Sequence, residues 1–255
     1  MKLILLAVSF TCLNVYSQKY TIKYDVDIND PSLRWSTNDS YQLITKSDGL
    51  KSIEYRRDKD TIVIHSSGVL FETKQNYYTD SLKFKRFKNL KEKIIEYTEY
   101  NGQTHIKDTI DIDYKIGNKK KPILDLECHN LFFEFRGRYY EAYYTKDIPI
   151  SDGPFKFIGA PGLILEVNSF DDSVKIKSSS IVLDLNSTKM LFRDNDKWFG
   201  KRKYTFSYDK YVKVSLNQWY EIITKNESQY PGSRSSFNSR RIEILPNKLD
   251  PEIND

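Results

Sequence analysis

Residues 20–28 alternate cleanly, with Tyr20, Ile22, Tyr24, Val26 and Ile28 on one side and Thr21, Lys23, Asp25 and Asp27 on the other. Period two with one polar face predicts a half-buried antiparallel strand. Similar short runs recur at 41–45, 61–65, 69–73, 93–100 and 105–113, separated by turn signals at Ser47-Asp48-Gly49, Ser66-Ser67-Gly68 and Asn101-Gly102. Asn101-Gly102 is the strongest local hairpin cue in the first half. Two further hairpins are predicted, one from 124–136 and 138–145 around Gly137, the other from 163–169 and 174–178 around Phe170-Asp171-Asp172-Ser173. Near the end the period changes. Leu216, Trp219, Tyr220 and Ile223 fall at helical spacing, predicting an amphipathic helix started at Ser215 or, further back, Asp209. Beyond residue 225 the chain reads as a polar loop, a last strand around 241–245 and a frayed end.

Many short strands without intervening helices argue against a parallel α/β sheet. The expected fold is a single, mainly β domain over 18–255. Its core element is an antiparallel, strongly curved sheet or half-barrel with one C-terminal helix packed on it. A β-sandwich is the alternative.

The N-terminus changes the picture of compartment. Met1-Lys2, an apolar run from Leu3 to Val15 and a small residue, Ser17, before Gln18 predict a signal peptide over 1–17. The apolar run is short of the roughly 20 residues that a membrane span requires. Lipid attachment at Cys12 is disfavoured by the bulky Phe10 and Thr11 before it. An exported protein in the periplasm or secreted is therefore expected. Removal of 1–17 leaves Cys128 as the remaining cysteine of the two, so no intrachain disulfide is available. The net charge of +5 is modest. The Lys119-Lys120-Lys121 run reads as a solvated turn rather than a nucleic-acid site.

From Phe133 to Val167 the chain joins an aromatic hairpin, a stiff Ile-Pro-Ile-Ser-Asp-Gly-Pro segment (148–154) and Gly159-Ala160-Pro161-Gly162-Leu163-Ile164. That order resembles the GLPGLI family, secreted proteins of Bacteroidota-type bacteria whose function is unassigned. Ala160 stands where the family name has Leu. The motif residues Gly159, Pro161, Gly162, Leu163 and Ile164 are expected to be structural. Pro161-Gly162 suits the centre of a type II turn, with positive φ at the glycine, and Leu163-Ile164-Leu165 reads as a strand buried on both faces. Cys128 stands where the family often has a cysteine before the hairpin, which implies packing.

The hairpin is where a site is sought. Tyr139 and Tyr143 share one strand face, Tyr140 and Tyr144 the other. One pair belongs to the core; the other forms either a surface under the C-terminal helix or an aromatic platform for a ligand. Arg136 and Arg138 at the turn are candidates for an anionic group. The 148–154 segment reads as a lid or as part of that site.

Catalytic motifs are missing. Cys128 and His129 are strand neighbours facing opposite sides, so they cannot form a dyad. His65 and His105 are isolated, and neither the Asp108/Asp111/Asp113 group nor Asp194-Asn195-Asp196 completes a calcium loop. No catalytic residue, metal or cofactor is expected. The best reading is a non-catalytic envelope protein that binds an apolar molecule, a peptide or an outer-membrane partner. The alternative is a hydrolase or transferase built from scattered carboxylates and His.

Overall fold

The computed structural model describes residues 19–30, 35–57, 85–98, 104–184 and 204–229. They form twelve strands in one sheet and one helix. In chain order these are β1 (Lys19–Asp30), β2 (Trp35–Lys46), β3 (Lys51–Arg57), β4 (Lys85–Asn89), β5 (Ile94–Thr98), β6 (Thr104–Thr109) and β7 (Lys115–Ile123). There follow β8 (Leu126–Phe135), β9 (Arg138–Thr145), β10 (Leu163–Ser169), β11 (Val174–Asp184), β12 (Tyr204–Ser207) and helix α1 (Tyr208–Gln229). The sheet order is β12-β6-β5-β4-β3-β2-β1-β11-β10-β9-β8-β7. Every pairing is antiparallel except that of β12 with β6. Mainly β with one helix is the expected class, and the open, strongly curved sheet prevails over the sandwich. Curvature shows in contacts between strands far apart in that order: Arg136, at the β8–β9 turn, reaches Asp108 on β6. The runs expected at 61–65, 69–73 and 241–245, and the Asn101-Gly102 turn, lie outside the described residues.

Alternation works as expected along β1, where Ile22, Tyr24 and Val26 are buried in the main core. Across the concave face they meet Leu43, Ile95, Leu131, Phe133, Tyr140, Ala142, Val167 and Ile176. Ile44, Ile53 and Phe87 form a separate small cluster on the opposite face, with Tyr55 packed against it. Two hairpin turns obey local chemistry. Arg136 and Gly137 both take positive φ, 48° and 79°, the pairing that a tight two-residue hairpin needs. At Ser47-Asp48-Gly49 the Asp48 side chain accepts from Leu50 N at 3.0 Å while Gly49 turns at φ 63°.

Several expectations need correction. Lys119-Lys120-Lys121 is not a turn but part of β7, an edge strand whose bulge, lysines and Pro122 discourage further pairing. Helix α1 is longer than the apolar pattern indicated, and neither Ser215 nor Asp209 caps it. Ser207 does, its Oγ accepting from Lys210 N at 3.4 Å. Helix α1 packs on β6 and β12 rather than over the faces of the hairpin, which it meets at the turn through Tyr208 and Arg136. Gly162 has no positive φ, so Pro161-Gly162 is not a type II turn. It is needed for space instead: a Cβ there would collide with the Thr145 carbonyl oxygen. The motif's left-handed residue is Gly159, at φ 94°. Burial of Leu163, Ile164 and Leu165 in succession comes with a bulge between Ile164 and Glu166. Among the described residues no helix is long and apolar enough to cross a membrane.

Candidate functional site

What fills the concavity is the segment between β9 and β10, residues 146–162. It lies with Ile148, Ile150, Asp152, Lys156, Phe157, Ile158 and Ala160 all buried. Its backbone is tied to the start of β10: Leu163 N donates to Ile148 O at 3.1 Å and Ile164 N to Asp152 O at 2.9 Å. Phe157 enters the apolar half of the concave face, with its ring 5.1 Å from Phe133, 5.6 Å from Phe135 and 5.1 Å from Tyr140. Tyr24 and Tyr114 fix the backbone from the sheet side, donating to Ile164 O at 2.7 Å and Ile158 O at 3.0 Å.

The other half of that face, formed by β3–β6, is charged. Register explains why: Glu54 stands opposite Arg86, Arg86 opposite Tyr97, and Ser52 opposite Lys88, all on one side of the sheet. Each charge meets a partner. Lys88 Nζ lies 3.2 Å from Asp152 Oδ1, both side chains fully buried, and also donates to Gly153 O. Arg86 pairs with Glu54 at 2.8 Å, and Glu54 accepts from Phe155 N at 2.7 Å. The Arg86 guanidinium also rests over the Phe155 ring, 4.7 Å from its centroid. Lys156 Nζ lies 2.8 Å from Asp108 Oδ2 and donates to Tyr97 OH at 3.0 Å. Arg136 grips the same Asp108 through both terminal nitrogens and sits 3.4 Å from the centroid of Tyr208, the first residue of α1.

Burial leaves its mark on the ionisable groups. Desolvation is the largest influence on Arg86 and works against its charge, but Glu54, Tyr41 and Tyr97 together hold the guanidinium above its usual value. Burial raises the Tyr24 phenol well above its usual value, with Asp152 and Glu54 adding to the effect. Burial and then Asp152 raise Tyr114 in the same direction. The charged groups here hold one another and the inserted segment, an arrangement suited to anchoring.

The residues singled out in the sequence are not brought together. Tyr140 and Tyr144 are fully buried in the core, whereas Tyr139 is 61% exposed on the outer face. Tyr143 shares that outer face but is covered by Lys121, whose Nζ stands 3.8 Å from the ring centroid. Arg136 belongs to the Asp108 cluster, and Arg138 Nε lies 3.0 Å from Asp171. Around Tyr139 a different group gathers. Phe170, 65% exposed, stands 6.1 Å from the half-buried Phe132, and Phe170 N donates to Tyr139 O at 3.0 Å. Glu134 lies directly across from Tyr139 and raises its phenol by a hydrogen bond. Cys128 is buried in the main core, and burial pushes its thiol up to about 11. Among the described residues no group of three or more His, Cys, Asp or Glu could hold a metal ion.

Residues 85–166, less than half of the chain, match the family model described as "Protein of unknown function (Porph_ging)", a Bacteroidota-associated family. The match runs from β4 to the motif's exit into β10. It takes in Arg86, Lys88, Asp108, Arg136, Asp152 and Lys156. No curated protein matches the sequence. Two solved structures of PNGF-II, in space groups C2 and P21, resemble the fold at TM-score 0.50 and 16% identity. The alignments cover 77% and 78% of this chain but 32% and 33% of theirs, so this chain matches about a third of that protein's length.

Proposed function

We propose that this chain is an exported, non-catalytic binding protein of the GLPGLI type, delivered to the periplasm or beyond by cleavage after Ser17. Its contact surface is the outer aromatic patch of Phe132, Tyr139 and Phe170, and its partner is a peptide or an outer-membrane protein. The observation that carries this reading is that two large aromatics stay exposed at one hairpin end while the concavity is filled from within. Rigid aromatics offer contact area at small entropic cost, which favours them at interfaces. An apolar small molecule is less favoured, because Phe157 and its neighbours occupy the interior where it would sit. The hydrolase or transferase reading draws on the carboxylates and lysines converging there, but each is engaged in holding the inserted segment.

Photo-crosslinking in the native cells tests this. A crosslinker at position 139 is expected to capture one defined partner, and Phe170→Ala should abolish the adduct. The same crosslinker at 183, on the exposed Leu183 of β11, should not. Equal capture at both positions, or none at 139, would sink the reading. Intact mass of the exported protein checks the start at Gln18.

A further inference from the structure

We infer that a water molecule is bound inside the sheet at the foot of the inserted segment, held by Lys88, Asp152 and Ser52. Asp152 Oδ2, Ser52 Oγ and Thr45 Oγ1 are buried and have no hydrogen-bond partner among the described residues. Asp152 uses its other oxygen, Oδ1, for both Gly153 N at 2.8 Å and Lys88 Nζ at 3.2 Å. An ammonium group has three protons. Lys88 directs two of them to Asp152 and Gly153 O, which leaves a third for another acceptor.

The residues that carry these groups are linked through the sheet and the Lys88–Asp152 contact. Thr45 stands directly opposite Ser52 in the β2–β3 register, and Ser52 directly opposite Lys88 in β3–β4. They form one cross-strand row on the concave face, ending beside Asp152. The hydroxyls whose charge environment includes Asp152 cannot satisfy it. Tyr24 and Tyr114 already donate to Ile164 O and Ile158 O.

The occupant follows from the charges. A cation would face the Lys88 ammonium, and an anion the Asp152 carboxylate. What remains is a small neutral molecule able to accept from Lys88 and donate to Asp152 Oδ2 and Ser52 Oγ. Water meets that description, and buried waters commonly make about three such bonds to groups otherwise unsatisfied. Thr45 Oγ1 then bonds to Ser52 or extends the site by a second water.

A high-resolution crystal structure of the full chain tests this without any variant. Ordered density about 2.7–3.2 Å from Asp152 Oδ2, Lys88 Nζ and Ser52 Oγ is expected. In solution, water-oxygen magnetic relaxation dispersion should report a long-lived water. That signal should fall by one molecule in a Ser52→Val variant whose circular dichroism is unchanged. A dry site, with a hydroxyl bonded directly to Asp152 Oδ2, would overturn the inference. So would a folded Ser52→Val protein whose dispersion equals the wild type.

Discussion

The two halves of the concave face solve one problem with opposite chemistry. Around β8–β11 and β1 the inner residues are Leu, Phe, Val, Ile and Tyr, and Phe157 packs among them by shape alone. Around β3–β6 they are Glu54, Arg86, Lys88 and Asp108, and Asp152 and Lys156 meet them as ions. Consecutive residues Lys156 and Phe157 serve the two halves. Apolar contact is non-directional and tolerates small slips. A buried ion pair does not, because each charge taken from water requires its counterpart in place. The charged half therefore fixes where the segment lies, and the apolar half supplies most of the burial that keeps it there.

Breaking one partner in each half should give the largest effects. Lys88→Met leaves Asp152 buried without its counter-charge and should cost about 3–5 kcal/mol in denaturant unfolding. Lys88→Met combined with Asp152→Leu should recover most of that loss, since replacing both members of a buried pair is often close to neutral. Tyr140→Ala in the apolar half should also cost about 3–5 kcal/mol, but with no such rescue available from a second substitution. If the double variant is as unstable as Lys88→Met alone, the charged half contributes more than alignment.

These halves were not equally legible in the sequence. Alternation from Tyr20 to Ile28 and the hairpin at Gly137 show themselves because apolar periodicity and turn chemistry are local. Lys85-Arg86-Phe87-Lys88-Asn89 is absent from the strand pattern drawn from the sequence, yet Phe87 sits in the small opposite-face cluster while Arg86 and Lys88 face inward. Inversion of the usual pattern depends on partners 32 and 64 residues away, Glu54 and Asp152, which no short window contains. The segment 148–154 drew notice through its prolines and glycine, but its role as an interior filling was hidden by the charges it carries. Tyr139 was found from the aromatic run; Phe170 and Phe132 were not, because the pairing that brings them together joins three strands.

The motif comes next in size. Gly162→Ala forces a Cβ against the Thr145 carbonyl, and relief requires the inserted segment to shift from β9. A loss of about 1–3 kcal/mol is expected, typical of overpacking. A fully stable Gly162→Ala protein would mean that the seam between the halves yields easily. Cys128→Ser should lie in a similar or smaller range, about 1–3 kcal/mol, the cost of burying a poorly satisfied hydroxyl. The native thiol should resist alkylation at neutral pH, where its raised value keeps it protonated. Rapid labelling of folded protein would show that the core opens at this point.

The gentlest test of the seam is alkaline pH. Tyr24, Tyr41 and Tyr114 lie along it, and burial raises all of them above the usual phenol value of 10.0. A raised value in the folded chain means that folding favours the protonated phenol. The stability this contributes is complete below about pH 10 and is lost as pH climbs through the unfolded value toward the folded ones. Denaturant midpoints should hold level on the neutral side of that window and fall within it. Tyrosinate absorbance should show a fraction of the phenols ionising only together with loss of near-ultraviolet dichroism. Tyr24 is the informative member, because Asp152 and Glu54 add to its shift. Asp152→Asn should therefore lower the Tyr24 value, even though it loosens the Lys88 anchor. Unchanged titration of the buried phenols in Asp152→Asn would mean that the apolar half alone sets their environment, and that the charged half ends short of Tyr24.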